Sequence, residues 1–257
     1  MTVLWALRLE YDGTPFVGWQ RQINGLSVQQ VLEEAAAKLN NGHPVASIVA
    51  GRTDAGVHAE AQVVQLPLPA HFTPERVREA LNFHMKPHRI VVQDAAPAPA
   101  DWNARFSATR RCYRYHILNR RARPALLAHR VWHVPQELDA AVMRKAALIL
   151  LGRHDFTSFR ASSCQAKSPL RTLDRLDVTR TGEVIAITAE ARSFLHHQVR
   201  NMIGTLKLVG EGVWPINRVA TALAARDRAA GGPTAPPDGL CLIAVFYPID
   251  PFAANPT

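Results

Sequence analysis

Hydrophobic and polar positions alternate from the third residue: Val3, Trp5, Leu7 and Leu9 take one side, Leu4, Ala6, Arg8 and Glu10 the other. That period of two predicts a first strand, ended by Asp12-Gly13-Thr14-Pro15. The loop that follows carries Phe16, Trp19, Arg21 and Gln22, candidates either for core packing or for stacking on a nucleic-acid base. Ser27 and Gln30 then form a capping box, with Leu26 set to face Val31, and this predicts a helix that Asn40-Asn41-Gly42 stops. The apolar run Val45 to Ala50 reads as a buried strand and Gln62 to Leu66 as a second. Thr73-Pro74-Glu75 opens another helix, running to about Met85. Ile90-Val91-Val92 starts a strand that fades into an Ala/Pro-rich stretch at 95–100. The resulting order, β-α-β-β-α-β, is the ferredoxin-like arrangement shared by RRM-type RNA binders, although the aromatic signature of those binders is missing.

The Ala/Pro stretch divides the chain into halves, 1–100 and 101–257. In the second half Tyr113, Tyr115 and Ile117 alternate with Arg114 and His116 in a predicted strand. A short strand at 131–134 and a helix at 138–151 follow, then a loop-like segment at 152–170. Residues 173–179 and 184–189 read as a hairpin around Thr181-Gly182. A helix is predicted over 194–209, apolar at Leu195, Val199, Met202, Ile203, Leu206 and Val209. A helix at 216–226, a Gly/Pro-rich turn at 231–237 and a buried strand at 240–246 complete the pattern. The fold class expected is α+β: two ferredoxin-like, RRM-like halves with antiparallel sheets.

Charge changes this picture more than size does. The 257 residues carry a formal net charge of +9 and a pI near 10.1, which points to a polyanionic partner. Between Trp102 and Gln136 no acidic residue occurs, yet Arg105, Arg110, Arg111, Arg114, Arg120, Arg121, Arg123 and Arg130 all fall there. A genomic preference for Arg over Lys would not exclude Asp and Glu from this window, so nucleic-acid contact is the better reading. No apolar run is long enough to span a membrane, no signal-peptide pattern opens the chain, and Cys112, Cys164 and Cys241 are widely spaced with no C-x-x-C. A cytoplasmic protein without membrane contact or a cysteine-built metal site is expected. No P-loop, Rossmann glycine pattern or metal-ligand spacing is present, so no cofactor is expected.

Candidate chemistry concentrates in Gly51-Arg52-Thr53-Asp54-Ala55-Gly56-Val57-His58-Ala59, a loop between two predicted strands. Asp54 is the only acid from Ala35 to Ala59, and Arg52 and His58 flank it. Such a carboxylate suits a nucleophile or a base; it suits equally an Asx-turn that caps its own backbone.

This nonapeptide resembles the catalytic signature of the TruA family of tRNA pseudouridine synthases. The likeness extends to Tyr11-Asp12-Gly13, Phe16-Val17-Gly18-Trp19-Gln20, Arg111-Cys112-Tyr113-Arg114-Tyr115, Asp155-Phe156-Thr157-Ser158-Phe159, Phe194-Leu195-His196-His197-Gln198-Val199-Arg200-Asn201, and Gly239-Leu240-Cys241-Leu242 with Val245-Phe246-Tyr247-Pro248. Cys112 departs from the polar residue usual there. The resemblance implies the pseudouridine synthase fold, an active-site cleft between the two halves, and Asp54 as nucleophile. It implies Arg200 as the partner that keeps Asp54 charged, consistent with Gly204 leaving space one turn later. It further implies Tyr113 packed on the target uracil and Arg52 filling the gap left by the flipped nucleotide or holding a phosphate. His58 is expected to contact backbone or phosphate, and Arg111 to bind substrate. The substrate implied is the anticodon stem-loop of tRNA, at uridines 38, 39 and 40, and the assembly a homodimer. Two other classes compete: a non-catalytic basic RNA-binding module, and a metal-dependent nuclease using Asp54, His58 and the His196-His197 pair.

Overall fold

In the computed structural model, residues 1–99 and 101–253 are described, so the expected boundary at Ala100 lies outside the described residues. The chain divides into two compact units, 1–111 with 242 onward, and 112–241.

The first unit runs β1 (Thr2–Tyr11), α1 (Val28–Leu39), β2 (Ile48–Val49), β3 (His58–Pro69), α2 (Pro74–His84) and β4 (Ile90–Pro97). β1 is central, antiparallel to β3 on one side and to β4 on the other. Its Trp5, Leu7, Leu9 and Tyr11 are buried. On the opposite face Ala6 joins Ala50, Val63, Trp102 and Ala104 in a cluster that Val245, Tyr247 and Phe252 help to cover. The helices start where local chemistry predicts. Ser27 accepts from Gln30 N–H, Thr73 from Arg76 N–H, and Pro74 stands where no intrahelical donor is needed. Gln30, however, sends its side chain forward to Glu34 rather than back to the cap. Phe16 and Trp19 are core residues, 3% and 1% exposed. β4 reaches through Ala95-Ala96 to Pro97, paired with Leu7, Ala6 and Trp5. Proline is tolerated there because β4 is the end strand of the sheet among the described residues.

The second unit contains most of β5 (Arg110–Leu118), then β6 (Trp132–His133), α3 (Ala140–Ala147), β7 (Gly152–Asp155), β8 (Leu170–Thr181), β9 (Val184–Ala191), α4 (Gln198–Gly210), α5 (Asn217–Ala225) and the first residues of β10 (Leu240–Phe246). Its strands follow the order β5-β9-β8-β7, with the β8–β9 hairpin turning at Gly182, φ +58°. Two expectations are corrected. Residues 152–155 form a strand, not a loop, because they pair with Leu170–Leu173 on the end of the sheet. The long helix begins at Gln198, not at Phe194. His197 is left-handed, φ +61°, and Gln198 closes the preceding turn by accepting Leu195 N–H on Oε1 while donating its own N–H to Leu195 O. Leu195 still faces inward, so the apolar period ran unbroken into a turn. His196 and His197 therefore do not lie on a helix; their rings stack at 4.0 Å.

Gly204 leaves no space beside Arg200, contrary to expectation. A Cβ there would lie 1.7 Å from Pro233 O, so α4 is pressed against the 231–237 turn. Gly204→Ala is expected to destabilise the protein by about 3 kcal/mol, since backbone, not a flexible side chain, must move. A urea midpoint equal to that of the unaltered protein would contradict this packing.

Candidate active site

The loop from Ala50 to Val57 joins β2 to β3, and side chains and backbone from distant parts of the first unit bind several of its carbonyls and amides. Arg111, buried within the first unit, donates from Nε and Nη2 to Ala50 O at 3.2 and 2.6 Å. The same guanidinium reaches Arg105 O at 2.6 Å and Ala108 O at 3.2 Å. Gln62, fully buried on β3, donates to Gly51 O at 2.7 Å and to Tyr11 Oη at 3.3 Å. Tyr11 Oη lies 2.8 Å from Thr53 Oγ1. Trp19 N–H donates to Thr53 O, Gly56 N–H to Phe16 O, and Val57 N–H back to Asp54 O.

Two glycines allow the neighbouring loop to approach this closely. A Cβ on Gly13 would stand 2.1 Å from Val57 O, and on Gly18, at φ +107°, 2.8 Å from Thr53 O. The Tyr-Asp-Gly and Phe-Val-Gly-Trp motifs are thus the walls against which the Asp54 loop is moulded. Within this frame Thr53 is buried, Asp54 half-buried and Arg52 exposed. The carboxylate is presented by a fixed backbone, and the Arg52 chain stands at the surface two residues before it.

His58 makes the backbone contact that was one of its two expected roles, and Arg111, expected to bind substrate, is bound to carbonyls of its own unit. His58 is 3% exposed, and its Nδ1 accepts the Gly13 N–H at 3.0 Å. The same Nδ1 lies 3.2 Å from Asp12 Oδ1, so the ring is held between the Gly13 backbone and the Asp12 carboxylate. Arg89 and the Thr14 hydroxyl also meet Asp12, at 3.0 and 2.7 Å. A metal set that recruits His58 through Nδ1 would have to break the Gly13 bond. Arg111 is committed to three carbonyl oxygens. Both residues hold the loop.

Gln62 was not singled out from sequence, and Tyr11 was named only within the Tyr11-Asp12-Gly13 motif, without a role. The available signal was weak: an amide next to the apolar pair Val63-Val64 on a strand otherwise committed to the core.

In the second unit Tyr113 lies on β5, 8% exposed, its ring edge-on to Phe194 at 5.4 Å and 86°. Tyr115, two residues on, is core; its hydroxyl donates to Pro236 O, and burial raises its phenol well above the usual range. Cys112 meets Glu190 at 3.6 Å, and burial foremost, then the Glu190 charge, pushes its thiol up to about 11. It is a packing residue. Arg200, half-buried in the first turn of α4, donates from Nε to Ala235 O at 2.8 Å, while Ala235 N–H returns to Arg200 O at 3.1 Å. Asn201 ties the same turn to α4, accepting from the Thr234 hydroxyl at 2.7 Å and donating to Phe159 O at 2.8 Å. The guanidinium of Arg200 is aimed by this double link to Ala235.

A hollow of this unit lies elsewhere, among Arg120, Arg121, Leu138, Arg144 and Arg180. Arg120 pairs with Glu183 at 2.9 Å and Arg180 donates to Leu138 O at 2.8 Å, and none of the six expected site residues lines it. It is a basic surface feature, not a reaction site.

The sequence matches the profile of a family described as tRNA pseudouridine synthase over residues 9–107 and 146–248. It is 70% identical to the tRNA pseudouridine synthase A of Acidiphilium cryptum, over 98% of this chain and 99% of that one. It is 58% identical to the protein of the same name from Paramagnetospirillum magneticum, covering 98% of each. It is 56% identical to that from Gluconobacter oxydans, over 96% of this chain and 91% of the other. The chain belongs to the tRNA pseudouridine synthase family. Among the described residues no helix is long and apolar enough to cross a membrane.

Because one guanidinium serves three carbonyls, Arg111→Lys is expected to lower stability by roughly 2 kcal/mol, as a buried polar network loses partners that a single ammonium cannot replace. Urea denaturation measures this; an unmoved midpoint would show that the clamp contributes nothing.

Proposed function

We propose that the protein converts uridine to pseudouridine in the anticodon stem-loop of tRNA, at positions 38, 39 and 40, with Asp54 as nucleophile. Family membership supports the reaction. The observation that carries the assignment of Asp54 is the loop itself, whose carbonyls and amides are held by Arg111, Gln62, Trp19 and Phe16 while the carboxylate stays half-exposed.

The reaction breaks the N1–C1′ bond, turns the base, joins C5 to C1′, releases the C5 proton and leaves a proton on N1. It is an isomerisation, so no redox partner or phosphate donor enters. Asp54 provides the anion that attacks. Arg200, oriented by Ala235, keeps that carboxylate ionised when substrate excludes water. Tyr113 offers an aromatic face to the uracil. Arg52, exposed beside the nucleophile, takes a phosphate or the place of the extruded nucleotide. Reading shape and backbone rather than sequence accounts for tolerance of three positions. The β-α-β-β-α-β order of residues 2–97 supports the reading of this half as ferredoxin-like. The proposal includes a homodimer in the cytoplasm, acting without metal or cofactor.

Asp54→Asn preserves shape and removes the anion. Release of tritium from tRNA carrying 5-tritiated uridine is expected to fall by several orders of magnitude, with tRNA affinity retained. Near-normal release from this variant would remove Asp54 from the mechanism. The affinity itself is expected to fall linearly with the logarithm of salt concentration, because Arg-rich contacts release condensed counterions. A filter-binding constant indifferent to salt would contradict phosphate contact.

A further inference from the structure

Phe106 is 74% exposed, although it sits within a turn built with unusual care. Asn103 Oδ1 accepts the N–H groups of both Arg105 and Phe106, at 2.9 and 3.0 Å. Ser107 Oγ accepts Asn103 N–H at 2.9 Å, and Ser107 N–H returns to Asn103 O at 3.0 Å. Tyr247 Oη and Gln65 Oε1 hold the two backbone groups of Ala104, at 2.6 Å each. None of this burial benefits the Phe106 ring. A turn whose backbone is fixed on every side, and which then displays a phenyl group to solvent, presents that ring for contact.

Its surroundings indicate the chemistry of the contact. The Arg105 guanidinium lies 5.7 Å from the Phe106 centroid. Four residues on, Arg110 lies 4.1 Å over Phe246, which is itself 38% exposed. No acid occurs between Trp102 and Gln136. Cationic planes set beside aromatic faces, in a stretch of chain without acids, fit a single-stranded nucleic acid, whose phosphates need the cations and whose unpaired bases need a flat apolar face. Phe83, 67% exposed on α2, stands instead edge-on to His84.

The Phe106 turn is also tied mechanically to the Asp54 loop. Arg111 Nη2 holds Arg105 O and Ala50 O together, each at 2.6 Å. From that junction Phe106 is one residue away and Asp54 four, so the chain can separate them by at most about 25 Å. At about 3.4 Å per stacked nucleotide, the rise along one strand of duplex DNA, a nucleic-acid strand crosses that distance in roughly seven steps. One hairpin can therefore occupy both.

We propose that Phe106, with Arg105 beside it, is a stacking platform for an unpaired base of the same tRNA whose uridine reaches Asp54. The platform rests on the reading of the protein as a tRNA-acting enzyme and adds to it a contact that the chemistry does not use. The ring contributes π-face contact and no charge. It therefore tightens binding without discriminating among bases, as an enzyme serving many tRNAs requires.

Filter binding of full-length tRNA in the Asp54→Asn background separates this contact from the chemistry. Phe106→Ala is expected to weaken binding about tenfold, within the range measured for loss of one base–aromatic stack. The loss should be equal at low and high salt, because no phosphate contact is removed. Phe106→Trp should restore affinity. An unchanged urea midpoint for Phe106→Ala will show that the turn survives. Affinity within twofold of the parent overturns the platform while leaving the Asp54 mechanism intact. A fall in particle mass by light scattering on Phe106→Ala overturns it too, and assigns the ring to a contact between copies of the chain.

Discussion

A loop that presents a carboxylate must first satisfy its own backbone. The segment from Ala50 to Val57 has left the ladder of β2 and not yet joined that of β3, so beyond the Ala50 N–H, which donates to Val63 O, its carbonyls and amides need partners from outside the sheet. Leaving several such groups unmade would cost more than the marginal stability of a domain allows. The first unit solves this with donors drawn from distant parts of the chain: Arg111 from β5, Gln62 from β3, and the main chain of Trp19 from the loop after β1. The glycines at 13 and 18 follow from the same requirement, because the loop that supplies Trp19 and Phe16 must come within backbone contact. What looks like a string of separate motifs is one hydrogen-bonded frame.

How much of this was legible depended on the range of the interaction. Ser27 and Thr73 cap their helices through groups three residues away, and Gly182 turns its hairpin alone, so each could be read locally. β7 could not: nothing in Gly152-Arg153-His154-Asp155 distinguishes it from loop until Leu170–Leu173 comes alongside. The start of α4 was misplaced because Leu195 is buried in either conformation, and burial alone was visible. Arg111 is the most instructive residue. In an acid-free run of arginines it reads as a phosphate contact, yet its guanidinium is consumed by Ala50, Arg105 and Ala108, two of them in its own preceding turn. Charge patterning reports how many cations a surface could offer, not which are already taken.

The second unit treats Arg200 as the first treats Asp54. The residue is exposed enough to act, and its neighbours hold it. Ala235 bonds both its side chain and its carbonyl, Asn201 fixes Thr234, and Gly204 admits Pro233 against the helix. The proline-rich turn that looked like a connector is the mould for the first turn of α4. In both units a small residue permits backbone contact, and that contact fixes a charged side chain more firmly than rotamer preference would.

The division of the chain has a consequence for how it is made. Residues 112–241 form an uninterrupted unit, whereas the first unit needs the segment from Leu242 onward to complete it. Tyr247 binds Ala104 O, Phe252 lies under Arg8, and both rest on the cluster containing Trp102 and Ala6. As the polypeptide leaves the ribosome, the later unit is complete in sequence while the earlier one still exposes part of its apolar interior. The frame around Asp54 is translated early and sealed last, so the nascent chain must keep Trp102 and Ala104 from foreign contacts for the time taken to synthesise some 130 further residues.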